Sequence, residues 1–109
     1  MPYFALFYDT VDNFAERRQP YRQAHLALID EAHGNGRLVL AGALKPAAGS
    51  PDEARQRRAK SGALLVFFVD DAADVEKFAA GDPYVTSGLV TRWRVHEWAV
   101  VVGEHAVAR

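Results

Sequence analysis

The chain has 109 residues, 50% of them hydrophobic, which suits one domain with a single core. Its 13 basic and 14 acidic residues give a formal net charge of −1, so no overall field favours nucleic acid or an anionic membrane as a partner. The lack of cysteine excludes a disulfide scaffold, a thiolate nucleophile and a sulfur-ligated zinc site. With neither an apolar stretch of about 18 residues nor the pattern of a secretion signal, the sequence predicts a soluble, cytoplasmic protein.

The first predicted element is a strand from Tyr3 to Tyr8. Apolar and aromatic residues occupy both its odd and its even positions, which is typical of a strand buried on both faces. The polar residues 9–16 suit a turn or a short helical start. Pro20 then fits the first turn of the next helix.

The second predicted element is a helix from Gln19 to Asn35 that carries His25 near its middle. At about 100° per residue, His25 falls inside an apolar stripe, whereas Arg22 points elsewhere. Burial and the nearby helix N-terminus both favour a neutral imidazole, the form that accepts a proton. A core histidine satisfied by one hydrogen bond fits the same pattern. The predicted stripe consists of Tyr21, Ala24, Leu28 and Ala32, with Ile29 on its flank.

Residues 37–44 predict a second strand, interrupted at Gly42, where a backbone or ligand can approach closely. The segment 46–60 that follows is polar, rich in proline and basic, and it has no apolar period. We expect a solvated hairpin loop there. The alternative is a lid whose arginines contact an anionic substrate group.

The second half of the chain repeats the order strand, helix, strand. Residues 62–69 are again apolar on both faces and predict a central strand. Asp71 is the expected cap of a helix that ends at Gly81. Residues 91–102 predict the last strand, and residues 104–109 a loose tail after a core of about 2–103.

Asp82 lies between this helix and Pro83. A residue before proline is pushed out of the helical region, and proline suits the first helical position, so Asp82 can cap a short turn closed by Gly88. Spacing alone gives no reason to place Asp82 beside His25. A cap is therefore the simpler interpretation of this residue.

The order of elements predicts an α+β, ferredoxin-like βαββαβ fold over residues 1–109. Its four-stranded antiparallel sheet carries both helices on one face. Because the strands are apolar on both faces and the helices cover only one, a single copy would leave the other face of the sheet exposed to water. We therefore predict a homodimer that packs sheet against sheet.

Three segments carry a resemblance to a known family: residues 24–26, the stretch GRLVLAG at 36–42, and Asp82 to Val85 with Gly88. In order and spacing they resemble the YciI family (YCII-related domain) of the dimeric α/β-barrel superfamily. The resemblance covers roughly residues 2–103 and implies a dimer. It also implies an active-site pair in a pocket between sheet and helices, corresponding here to His25 and Asp82. The reaction of the family is largely unassigned.

The implied pair predicts acid and base chemistry. A carboxylate that orients an imidazole and stabilises its cation makes a general base, with the two groups about 2.6 to 3.2 Å apart. We therefore expect an enzyme for a small molecule with a lyase- or isomerase-type proton transfer. His25 and Asp82 are the predicted catalytic residues, and Gly42 and Tyr84 are predicted to line the pocket.

Other functions fit the same sequence. In a small-molecule binding or regulatory module, His25 would only donate a hydrogen bond to a ligand. The superfamily also resembles cofactor-free oxygenases and haem binders. We expect no cofactor and no metal, because His33, His96 and His105 lack ligand spacing with carboxylate support. The serines show no nucleophile-elbow pattern.

Overall fold

The structure is a computed structural model that describes residues 1–45, 62–104 and 106. The basic segment 46–60 lies outside the described residues. None of the described helices is long and apolar enough to cross a membrane. The elements in chain order are β1 (Tyr3–Thr10), α1 (Phe14–Arg17), α2 (Gln19–Gly34), β2 (Leu38–Leu44), β3 (Gly62–Phe68), α3 (Ala72–Gly81), α4 (Pro83–Thr86) and β4 (Val90–Trp98).

The strands form one antiparallel sheet in the order β2-β3-β1-β4. This is the predicted α+β, ferredoxin-like fold. Strands β1 and β3, which are apolar on both faces, take the central positions, as their sequences indicate. Helix α2 packs over β2 and α4, and α3 packs over β4 and β1.

The hydrophobic core lies between the sheet and the helices. Leu6 of β1 is opposite Leu65 on one neighbouring strand and Val95 on the other, so all three side chains share the helix-covered face. Leu6 is fully buried and packs in one cluster with Val75 of α3. Burying a leucine side chain of this kind contributes about 1.5 to 3 kcal/mol.

The opposite surface of the sheet, which we call the open face, also carries large apolar side chains. Leu40 and Trp98 remain 59% and 49% exposed, so the described elements leave this face largely uncovered. The ring of Tyr3 contacts those of Phe68 and Trp98, at centroid distances of 5.0 and 6.5 Å. The open face therefore joins aromatic and aliphatic residues in one patch: Tyr3, Phe7, Leu40, Leu64, Phe68 and Trp98.

The predicted buried stripe of α2 was wrong for Tyr21 and Ala24, whereas Ala32 is buried as predicted. Tyr21 is 39% exposed and Ala24 is also exposed, so neither belongs to the buried face. The face turned to the sheet runs through His25, Ile29 and Ala32. The reason is that the first half of α2 covers a pocket rather than closely packed core, so its apolar residues do not mark the inward side.

Two strand predictions also need correction. Strand β4 ends at Trp98 instead of residue 102, because Trp98 pairs with Tyr3, the first residue of β1, and β1 offers no partner beyond it. Gly42 does not interrupt β2, since it pairs with Leu64 in the regular ladder. The irregularity of β2 lies between Leu38 and Leu40.

Candidate active site

Asp82 occupies the junction of α3 and α4, where it ends the first helix and caps the second. Its backbone is extended, with φ −71° and ψ 126°, as a residue before proline requires. The side-chain Oδ1 accepts a hydrogen bond from the Tyr84 backbone N–H at 3.0 Å. The predicted cap is therefore present. It differs from an ordinary cap because the Asp82 side chain is 0% exposed.

Two further side chains meet the buried carboxyl group. The Tyr8 hydroxyl donates to Oδ2 at 2.8 Å, and His25 Nδ1 lies 2.8 Å from Oδ1. His25 and Asp82 are 57 positions apart in the chain, yet their separation falls within the range expected for a general-base pair. An ionised carboxylate only accepts hydrogen bonds, so a neutral His25 carries its hydrogen on Nδ1 and its lone pair on Nε2.

Aromatic packing fixes the plane of the imidazole. The His25 and Tyr84 rings are stacked, with centroids 3.8 Å apart and planes 16° from parallel. Phe14 contacts the Tyr84 ring edge-on at 5.0 Å. The His25 side chain is 13% exposed, so the ring, held on one face by Tyr84, still reaches the pocket surface. Tyr84 thus forms part of the site through its ring and its backbone.

The pocket lies between α1, α2 and the sheet, and its volume is about 660 Å³. Tyr8, His25 and Tyr84 form one part of its wall, and the backbone of Gly42 another. At its edge, a Cβ on Gly62 would lie 2.5 Å from the Tyr8 carbonyl oxygen, so only glycine fits there. Apolar side chains from helix and sheet complete the wall, among them Leu26, Ile29 and Leu65.

Cationic side chains also line the pocket, and the sequence interpretation missed them. Arg18, Arg22 and Lys45 are on the wall, whereas none of the acidic residues in the described ranges is. Arg22 was predicted to point away. The available signal was its spacing, since Arg22 and His25, three positions apart, are neighbours on one face of α2. Burial raises the pKa of the Tyr84 hydroxyl, while the positive charges of Arg18 and Arg22 oppose this effect.

Burial also raises the pKa of the Tyr8 hydroxyl well above its usual value of 10.0, and the charge and hydrogen bond of Asp82 raise it further. Tyr8 therefore stays neutral in the folded protein at a pH where the unfolded chain loses this proton. The stabilisation due to Tyr8 is complete below pH 10.0 and is lost as the pH rises above it.

Chemical denaturation at several alkaline pH values measures this effect. Above pH 10.0, the free energy of unfolding of the parent protein should fall with pH more steeply than that of Tyr8→Phe. The difference in slope should reach up to about 1.4 kcal/mol per pH unit. Both proteins keep the other tyrosines and the lysines, whose contributions cancel in the comparison. Parallel pH profiles for the two proteins would contradict the buried, hydrogen-bonded state of Tyr8.

The other described imidazoles lie outside this site. His33 Nδ1 is 3.0 Å from the carbonyl oxygen of Leu38, and His96 contacts the ring of Phe7 edge-on at 5.9 Å. Across residues 1–45 and 62–104, no three histidine, aspartate or glutamate side chains are grouped as metal ligands. The described site is thus a His–Asp–Tyr network beside a cationic pocket.

The sequence model of the YCII-related domain matches residues 1–99. The chain belongs to the YCII-related domain family. An uncharacterised protein of Haemophilus influenzae is 28% identical over 87 residues, which cover 80% of this chain and 86% of that protein.

One solved structure with the same fold is 5-chloro-2-hydroxyhydroquinone dehydrochlorinase (TftG) from Burkholderia phenoliruptrix AC1100, in complex with 2,5-dihydroxybenzoquinone. It is 20% identical with a TM-score of 0.69, and the match covers 95% of this chain and 98% of that one. The 30S ribosomal protein S6 from Thermotoga maritima has a TM-score of 0.49 at 16% identity, over 89% of this chain and 87% of that one.

Proposed function

We propose that this member of the YCII-related domain family is a small-molecule enzyme in which His25 transfers a proton and Asp82 orients it. One observation carries the proposal: a fully buried carboxylate holds His25 at 2.8 Å on the wall of a pocket of about 660 Å³. A histidine that served only the core would not need a carboxylate partner shielded from water together with an accessible pocket on its other side.

The proposed step is a general-base reaction. Nε2 of the neutral ring takes a proton from a substrate carbon or oxygen, and the carboxylate of Asp82 stabilises the imidazolium that forms. Tyr8 and the Tyr84 N–H hold the carboxylate in place throughout. Asp82 is therefore a positioning residue, and His25 is the group that meets the substrate.

An elimination or an isomerisation follows from this step. In an elimination, the electron pair of the broken C–H bond forms a double bond, and a leaving group departs with its own bonding pair. In an isomerisation, the imidazolium returns the proton to another atom of the substrate. The dehydrochlorinase of similar fold supports the lyase-type reaction as the first one to test here.

A substrate screen in D2O tests the proposal. Small carbonyl compounds with an acidic C–H bond, with and without a leaving group, are incubated with the protein and with His25→Gln, and the loss of the C–H signal is followed by proton NMR. We expect exchange or elimination that is absent from the variant. Saturable binding of these compounds without any exchange would instead indicate a binding module, and equal exchange in both proteins would show that His25 is not the base.

We further propose that the protein is a homodimer joined through the open face. A second copy presents the same apolar surface, and the chain carries almost no net charge to oppose association. The exposed Leu40 and Trp98 lie on this face with the contacting rings of Tyr3 and Phe68, and grouped apolar side chains of this kind mark an interaction surface. In a dimer the two patches would cover each other.

The substitution Leu40→Arg should break this dimer. The symmetry of a two-fold interface places the unpaired charge in it twice, so we expect dissociation to become easier by about 100-fold or more, measured by light scattering across a dilution series. Ala80→Arg adds the same charge on the exposed surface of α3 and should leave the mass unchanged. A monomeric mass for the parent protein at micromolar concentration, with cooperative unfolding, would contradict the dimer.

A further inference from the structure

The wall of the pocket carries more positive charge than the chain as a whole. Arg18, Arg22 and Lys45 line it, and no described acidic side chain does. The carboxylate of Asp82 is fully buried and already accepts three hydrogen bonds, from Tyr8, His25 and the Tyr84 N–H. The positive charge in the pocket is therefore not neutralised by the described protein groups.

Arg18 places a buried hydrogen-bond donor on the pocket wall. Its Nε is buried and has no hydrogen-bond partner in the described part of the chain. The guanidinium group lies over the ring of Phe14, 5.7 Å from the ring centroid, which holds the group against the wall. A buried donor without an acceptor is unfavourable, and a planar oxyanion is the acceptor that a guanidinium group matches best.

The arginines are aligned with the proposed base. Arg18 immediately precedes α2, and Arg22 and His25 lie three positions apart on one face of that helix, about 4.5 Å along its axis. An anionic group held by Arg22 and Arg18 would place an atom a few bonds away beside His25. The apolar wall formed by Leu26, Ile29 and Leu65 suits the uncharged body of such a molecule.

We infer that the substrate of this pocket is a small organic carboxylate with an apolar body about the size of a ring. Arg18 and Arg22 bind the carboxylate, and the body lies along the apolar wall with its reacting atom at His25. The inference rests on the proposed function for its link to turnover. Its recognition part can be tested without a reaction.

Benzoate and its neutral analogue benzamide are suitable probes, with affinity and site read from NMR shifts of the His25 and Tyr84 rings. We expect saturable benzoate binding at these rings, with benzamide weaker by about tenfold or more, because a hydrogen bond to a charged group is worth about that much. Arg18→Met and Arg22→Gln should each weaken benzoate by a similar factor. Arg17→Gln removes the same charge from an exposed neighbour off the wall and should change affinity less than about threefold.

Stability separates binding from a structural role for Arg18. Arg18→Met keeps the unbranched stem and removes the unpartnered donor, so the Tm without ligand should not fall, whereas a structural role requires a lower Tm. His25→Gln separates this inference from the proposed function. The variant should lose turnover and still bind benzoate in preference to benzamide.

Several results would overturn the inference. The first is equal affinity of the parent protein for benzoate and benzamide. The second is an equal loss of benzoate affinity in Arg17→Gln and Arg18→Met, and the third is the absence of saturable benzoate binding. If benzoate binds as expected but no substrate is turned over, the proposed enzyme fails while the carboxylate site remains. If turnover is found without a preference for anions, the carboxylate site fails while the enzyme remains.

Discussion

Asp82→Ala should lower the free energy of unfolding by about 3 to 5 kcal/mol, as expected when one partner of a buried charged network is removed. The substitution leaves the Tyr8 hydroxyl and the Tyr84 backbone N–H without their acceptor, and each such buried group costs about 1 to 3 kcal/mol. It also removes the N-cap of α4. Urea denaturation followed by circular dichroism, at equal protein concentration, measures the difference.

Asp71→Ala is the matched control for this prediction. Asp71 also caps a helix, and among the described residues its side chain accepts one hydrogen bond, from the Ala73 N–H at 2.9 Å on the protein surface. Asp71→Ala should lower the free energy of unfolding by about 0.5 to 2 kcal/mol. Asp82→Asn keeps the cap and should fall between the two alanine variants, because its amide faces the Tyr8 hydroxyl with a donor in place of an acceptor. If both alanine variants lost the same free energy of unfolding, Asp82 would act only as a helix cap.

Local rules predicted much of this fold. The strands β1 and β3 follow from runs of apolar residues, and their central positions follow from the need to bury both faces. The caps at Asp71 and Asp82 follow from backbone chemistry, and Pro83 fixes the conformation of the second. These features depend on residues that are neighbours in the chain, so the sequence displays them directly.

Features that depend on distant partners were not accessible in this way. The end of β4 is set by where β1 begins, and the rotation of α2 is set by the pocket beneath it. The approach of His25 to Asp82 came from the family resemblance alone, because no spacing rule connects residues 57 positions apart. The sequence placed Tyr8 only at the end of an apolar, aromatic strand. Its hydroxyl gains a role only because the fold brings the buried carboxylate of Asp82 opposite it.

Once a substrate is found, His25→Gln should lower kcat by about 10² to 10⁴, the usual contribution of a general base. Glutamine can still donate a hydrogen bond to Asp82, so the fold and the pocket are retained, but its amide does not accept a proton at neutral pH. KM should change little, because substrate affinity comes mainly from other groups on the wall. His33→Gln is the matched control, since His33 contacts the Leu38 carbonyl outside the pocket.

Asp82→Asn tests the carboxylate partner of His25. It removes the charge that stabilises the imidazolium, so kcat should fall by at least about tenfold even though the cap of α4 remains. A core histidine beside an unrelated site would show the opposite pattern, with lower stability and unchanged turnover in both variants. Loss of kcat in His25→Gln and Asp82→Asn, with full activity in His33→Gln and Asp71→Ala, would place the proton transfer at this pair. Unchanged turnover in His25→Gln would leave the pocket without its proposed base, and the reaction would have to be sought at another group on the wall.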